Sequence, residues 1–277
     1  MVSYVEAASA PLKNTGQIRL YDIKADFEGM RAAGQVTARC LDGLVDLIKP
    51  GTTTNEIDDF VYSFARDNNA LPATLGYRGY TKSTCTSINH VVCHGIPNDK
   101  PLREGDIVNL DVTLILDGWH GDSSRMYPVG KIKRAAERLI DVTHESLMRG
   151  MTVVKPGATT GDIGAAIQDY VEGEHCSVVR DFCGHGVGRI FHDMPNILHY
   201  GHPGEGPELK PGMIFTIEPM VNLGRPPVKV LSDGWTAVTR DRSLSAQFEH
   251  SIGITENGYE VFTLSPKDLF KPPLQES

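Results

Sequence analysis

One ten-residue segment occurs twice in this chain. Ile48-Lys-Pro-Gly-Thr-Thr-Thr-Asn-Glu-Ile57 and Val154-Lys-Pro-Gly-Ala-Thr-Thr-Gly-Asp-Ile163 agree at six of ten positions, 106 residues apart. Upstream at the same offset, Val36, Thr37 and Leu41 match Val142, Thr143 and Leu147. Downstream, Leu102-Arg-Glu-Gly-Asp-Ile107 resembles Leu209-Lys-Pro-Gly-Met-Ile214 at an offset of 107. Two copies of so long a period do not make a solenoid. They make two related halves of one α/β unit, which fits a chain of 277 residues.

Each half reads in the same order. A helix comes first, Asp26 to Leu47 and Lys133 to Thr152. A Lys-Pro-Gly turn ends it. Thr53 or Thr54, and then Thr159 or Thr160, caps a second helix that carries an acid in its first turn. That helix runs to about Asp67 in one half and Glu172 in the other, and short β-rich runs follow. The expected organisation is a loosely held extension over 1–15, one domain over 16–265 with halves 16–125 and 126–265, and a loose Pro-rich tail over 266–277.

The β-rich runs place acids where strands disfavour them. In Ile107–Leu116 the even positions are apolar, and the odd ones carry Asn109, Asp111 and Thr113. Asp117-Gly118 is a two-residue hairpin turn, so Thr113 faces Asp122 on the next strand, expected over about Gly121–Val129. Asp111 and Asp122 are then diagonal neighbours on one face. A strand over Met213–Val221 puts Glu218, the repeat counterpart of Asp111, on its polar side. A third run, Gln247–Thr255, puts Glu249 opposite Phe248, Ile252 and Ile254. Any one such acid reads as an exposed sheet residue. Four on one face repel one another, raise each other's pKa, and call for a cation.

Gly184-His185-Gly186-Val187-Gly188 is too Gly-rich for a helix and lets backbone approach a site closely. His192 follows seven residues after His185, and His94 stands in Cys93-His-Gly-Ile-Pro97. One nitrogen and four carboxylates suit two divalent ions such as Mn, Fe, Co or Zn better than an all-oxygen Ca or Mg cage. Two such ions can share a water, acidify it and polarise a carbonyl, which is hydrolysis without a nucleophilic side chain. No GxSxG, Walker A, HExxH or CxxC pattern competes.

At this point the chain resembles the type I methionine aminopeptidases of bacterial or organellar kind. The resemblance rests on Ser87-Ile-Asn-His-Val-Val-Cys-His-Gly-Ile-Pro97, Gly105-Asp-Ile-Val-Asn-Leu-Asp111, Asp117-Gly-Trp-His-Gly-Asp122, Cys183-Gly-His-Gly-Val-Gly188, Phe215-Thr-Ile-Glu-Pro219 and Gln247-Phe-Glu-His250, in family order, across about Gly16 to Thr263. It implies the pita-bread fold, an α/β structure with a pseudo-twofold pair of halves around a curved antiparallel sheet. It implies the metal ligands Asp111, Asp122, His185, Glu218 and Glu249, with Asp122 and Glu249 bridging two ions. Asp111 would hold one ion, His185 and Glu218 the other. It also implies attack by a metal-bridging hydroxide on the carbonyl of an N-terminal methionine. In that scheme Glu218 shuttles the proton, His192 stabilises the oxyanion, and His94 bonds the scissile amide nitrogen. Tyr77, Tyr80, Cys85, Phe191 and Trp235, with His94 and His192, match the family's substrate pocket. Thr74 stands where some bacterial members carry cysteine, a departure that bears on pocket polarity.

Two rivals come from the same fold. Prolidase or Xaa-Pro aminopeptidase relatives share the metal ligands but usually carry a large extra N-terminal domain, for which the leading residues leave no room. A pita-bread binding module without catalysis would lack part of the ligand set, and none of the five is substituted here. The implied substrates are nascent polypeptides beginning with Met and a small second residue, met through a transient ribosome contact, by a monomer. A formal charge of −8 speaks against gripping nucleic acid over a broad surface, and no basic run supports strong docking on the ribosome. No run approaches the roughly 18 apolar residues of a membrane span, and Met1 to Ala10 lacks the build of a secretory signal. Five scattered cysteines, Cys40, Cys85, Cys93, Cys176 and Cys183, read as reduced thiols, so the expected location is cytoplasmic.

Overall fold

A computed structural model of the chain describes residues 2–273. Four helices, α1 (Asp26–Gly43), α2 (Thr54–Asp67), α3 (Arg134–Thr152) and α4 (Thr160–Gly173), pack as two pairs. They cover an eleven-stranded sheet. Its strands are β1 (Tyr4–Glu6), β2 (Ile18–Leu20), β3 (Leu71–Pro72), β4 (Cys85–Ile88), β6 (Ile107–Leu116), β7 (Trp119–Pro128), β9 (Gly184–Gly186), β10 (Asp193–Ile197), β11 (Ile214–Ile217), β16 (Glu249–Ile254) and β17 (Tyr259–Val261). Two three-stranded sheets complete it. One joins β15 (Ser245–Gln247), β12 (Met220–Asn222) and β8 (Ser177–Val178). The other joins β13 (Val228–Val230), β14 (Ala237–Thr239) and β5 (Val91–Cys93).

The repeat is a structural repeat. In the first half Gly51 N–H donates to Leu102 O at 2.8 Å and Leu102 N–H to Thr52 O at 2.8 Å. In the second, Gly157 N–H donates to Leu209 O at 2.9 Å and Leu209 N–H to Ala158 O at 2.7 Å. Each Lys-Pro-Gly turn thus docks on the segment that leads into a central strand. The cap is Thr53 in one half and Thr159 in the other. Each closes a capping box with the acid three residues on, Glu56 or Asp162. Each half fills its own apolar cluster: Leu41, Ile57, Val61, Leu110 and Val112 in the first, Leu139, Leu147, Ile163, Phe215 and Ile252 in the second.

Several expected boundaries move, each for a local reason. The first helix ends at Gly43, and Leu44 to Leu47 continue only as turns. The hairpin needs only Asp117 and Gly118, both at positive φ, so β7 starts at Trp119. The run Met213–Val221 is not one strand. It breaks at Glu218-Pro219, where proline has no N–H for a ladder, and the chain passes into the smaller sheet. The run Gln247–Thr255 likewise divides at Phe248 between two sheets.

Both ends are held more firmly than composition suggests. Residues 4–6 pair with β2, and buried Arg19 donates to Asp193 and to the carbonyls of Pro11 and Lys13. Phe270 stacks on His250 with centroids 4.0 Å apart, and Arg125 donates to Leu269 O at 2.9 Å. Residues 274–277 of the expected tail lie outside the described residues. No helix among the described residues is long and apolar enough to cross a membrane.

Candidate metal centre

Strand register builds the centre. Asp111 on β6 faces Ser124 on β7, and Ser124 faces Glu249 on β16, so these three share a level and a face. Two residues along, Thr113 faces Asp122. Ser251 lies beside Asp122, accepting its N–H at 3.3 Å and donating its hydroxyl to Asp122 O at 2.7 Å. Ser251 in turn faces Thr216 on β11, whose hydroxyl accepts the N–H of His185 on β9 at 3.0 Å. A one-residue slip anywhere would send these side chains to the other face. The small Ser124 leaves room between the acids above it. β9 reaches the centre because it has no bulk on its own strand: a Cβ on Gly186 would lie 2.1 Å from Met194 O.

Ligand atoms of Asp122, His185 and Glu249 all lie within 4.8 Å of one another. His185 Nε2 is 3.6 Å from Asp122 Oδ2 and 3.6 Å from Glu218 Oε1. Its Nδ1 faces Gly186 O at 3.1 Å, which places the proton on Nδ1 and the lone pair of Nε2 toward the carboxylates. Asp111 lines the same cavity from the far side of Ser124. Glu218 sits not mid-strand but at the break after β11.

Four carboxylates in one cavity without a cation, Asp122 and Glu249 buried and Asp111 and Glu218 half-buried, are electrostatically frustrated. Burial raises Asp111 to about 7. Burial and then the Asp111 charge push Asp122 well above the usual carboxylate range. Glu218 and Glu249 move the same way, from burial first and then repulsion by Asp122. Two of the acids have neutral donors: Thr113 donates to Asp122 Oδ1 at 2.6 Å and Thr216 to Glu218 Oε1 at 2.8 Å. Gln247 Nε2 donates to Glu218 Oε2 at 3.2 Å. Among the described residues no hydrogen bond reaches the carboxylate of Asp111 or Glu249. Like charges at this spacing, a neutral imidazole lone pair and unspent carboxylate oxygens are the donor set of a divalent cation site.

The cavity holds about 330 Å³, and every sequence-predicted site residue lines it. Tyr77, Phe191 and His192 form one aromatic cluster, with Tyr77 to His192 at 5.1 Å and Phe191 to His192 at 4.1 Å. Tyr80 meets Trp235 edge-on at 5.1 Å, and its hydroxyl is engaged with the carbonyls of Thr84 and Gly95. His94 stands between Phe182 and Trp235 at a positive φ of 56°. Burial lowers the pKa of His94, takes that of His192 to about 2 and that of His185 to about 4, so all three are neutral at pH 7. Cys85 and Cys93 are buried thiols pushed up by desolvation, which leaves them inert wall. Thr74 spends its hydroxyl on Lys82 O at 3.0 Å, so it adds no free polar group to the pocket.

Five functional neighbours have no role that the sequence alone assigns: Gln247, Met220 and Phe182, which line the cavity, and Thr216 and His199, which hold Glu218. Thr216 and Gln247 lie inside recognisable motifs, and Thr216 shares the polar side of its strand with Glu218. Alternation puts Thr113 opposite Asp122 but does not show its hydrogen bond. His199 had no signal: its Nε2 accepts the Glu218 N–H at 3.1 Å, a contact between distant segments.

Comparison with known proteins agrees with this geometry. Residues 28–256 match the model of metallopeptidase family M24. A methionine aminopeptidase of Rickettsia prowazekii is 60% identical over 250 residues, 90% of this chain and 96% of that protein. The crystal structure of methionine aminopeptidase from Rickettsia prowazekii superposes with a TM-score of 0.88 at 57% identity, covering 90% of this chain and 100% of that one. The prolidase from Pyrococcus furiosus shares the fold at a TM-score of 0.69 but only 21% identity, over 88% of this chain and 65% of its own.

Proposed function

The chain belongs to metallopeptidase family M24, and from that premise we propose that it is a metal-dependent methionine aminopeptidase with the pita-bread fold. It removes N-terminal methionine from polypeptides whose second residue is small. The observation that carries the reading is the buried group of Asp122, His185 and Glu249, with Glu218 and Asp111 beside it, at the floor of an aromatic-walled cavity. The soft wall of Tyr77, Tyr80, Cys85, Phe191 and Trp235 suits a thioether, and its size suits one side chain.

Asp111, Asp122, His185, Glu218 and Glu249 would hold two divalent ions, of Co, Mn, Fe or Zn type. The chemistry supplied by such ions is acidification of water and polarisation of a carbonyl. The protein supplies the rest. Glu218 is the proton carrier, because its carboxylate is fixed at both oxygens by Thr216 and Gln247, and burial and the Asp122 charge raise its proton affinity above that of an ordinary carboxylate. Neutral His192 holds the carbonyl oxygen of the scissile bond, and neutral His94 bonds the amide nitrogen that leaves. The same wall excludes water from the reacting bond.

The substrates are nascent chain N-termini in the cytoplasm, met by a monomer in transient contact with the ribosome. Chelation tests the reading: release of methionine from Met-Ala-Ser should vanish with the chelator and return with Co, Mn or Fe. Turnover that survives complete chelation refutes it.

A further inference from the structure

His199 is fully buried on the segment that follows β10. The N–H that its Nε2 accepts belongs to the first residue past the last paired rung of β11 and β16, Ile217 opposite His250. The next residue, Pro219, offers no N–H, and β12 then begins in a different sheet. An imidazole nitrogen therefore stands in for a strand partner at the position that carries Glu218. A ring nitrogen that accepts must be unprotonated, so the proton sits on Nδ1, and Nδ1 has no partner among the described residues. A buried unpartnered donor is destabilising, and an apolar side chain would avoid it. That cost is tolerated where the other ring atom has a task.

The mount of His199 is rigid. The segment Leu198–Tyr200 lies against α4 so closely that a Cβ on Gly164 would fall 2.4 Å from Tyr200 O and 2.8 Å from Leu198 O. Gly201 N–H donates to Gln168 Oε1 of the same helix at 3.1 Å. The register of α4 thus passes through His199 to the backbone of Glu218. The carboxylate is tethered separately by Thr216 and Gln247.

We infer that His199 is a positioning residue: its Nε2 fixes the backbone of Glu218 and so sets the place of that carboxylate against His185. The inference rests on the reading of Glu218 as metal ligand and proton carrier. It predicts a difference between two amides. Glutamine can place its oxygen where Nε2 is; asparagine reaches only the Nδ1 position. His199→Gln should keep Mn affinity, measured by calorimetry on metal-free protein, and kcat within about threefold of the unmodified enzyme. His199→Asn should weaken Mn binding by about 10–100-fold and lower kcat at least tenfold, with KM changed by less than about threefold. Equal behaviour of the two variants, or an asparagine variant with unchanged affinity and kcat, overturns the inference. Should the asparagine variant not fold, long-range proton–nitrogen spectra of the unmodified protein decide it. A His199 proton on Nδ1 is expected, and one on Nε2 excludes the acceptor role. Unmodified protein that binds no Mn refutes the reading of the whole centre, and this inference with it, whereas normal binding with indifferent variants refutes the inference alone.

Discussion

Loading the centre with a divalent ion should expel protons. At pH 7 metal-free Asp111 carries about half a proton, because burial sets it at about 7. Burial and mutual repulsion raise Asp122, Glu218 and Glu249 in the same direction, so the cluster holds protons that the cation must displace. A cation that turns all four into carboxylates therefore releases the half proton of Asp111 and what its neighbours hold, on the order of one proton or more per chain at pH 7. Each proton released steepens log K by about one per pH unit, equivalent to about 1.4 kcal/mol per proton between pH 6.5 and 7.5. The assay is titration calorimetry of Mn into metal-free protein, in buffers of different ionisation enthalpy. The slope of apparent enthalpy against buffer enthalpy counts the protons. A slope of zero at pH 7, with affinity independent of pH, would mean that the carboxylates are already ionised, and the frustration argument would be wrong.

The same groups fix how metal-free stability varies with pH. The unfolded carboxylates lose their protons near pH 4, while folded Asp111 keeps its proton until about 7 and Asp122 is shifted the same way, so stability falls as pH rises through that interval. Buried histidines such as His185, His192 and His199 act in the opposite sense, but their contribution is complete once pH passes about 6.5. From about pH 6.5 to 8 thermal melts of metal-free protein should thus decline, and saturating Mn should abolish the decline; a rising curve would mean that the carboxylates do not dominate. His94→Ala and His192→Ala should each lower kcat by about 10²–10⁴-fold while calorimetry finds metal affinity nearly unchanged. Asp42→Ala strands the fully buried Arg125 guanidinium and should cost about 3–5 kcal/mol in urea unfolding. Gly186→Ala should abolish metal binding in whatever protein still folds, since its Cβ has no room beside Met194 O.

The parts legible from sequence were those governed by local rules. Period-2 alternation with an Asp-Gly turn placed Thr113 opposite Asp122, and the ladder has that register. The repeat located both capping threonines and both docking turns because each copy closes its contacts within its own half. What alternation could not show was where a strand changes sheet. Glu218 and Phe248 sit at such transfers, and nothing in the pattern of Met213–Val221 or Gln247–Thr255 marks them beyond Pro219. The docked segment near Phe270 was hidden for a related reason. Its composition is that of a tail, and its order comes from a distant partner, the buried Arg125. His199 acts across a gap of nineteen residues, which no local motif spans.

Substrate choice separates methionine removal from prolidase chemistry. Purified protein, loaded with Mn or Co, is offered Met-Ala-Ser in competition with Ala-Pro and other Xaa-Pro peptides, and the released amino acids are counted. Free methionine in large excess is expected. Faster cleavage of the Xaa-Pro peptides would contradict it and place the chain's activity with the prolidase side of its fold.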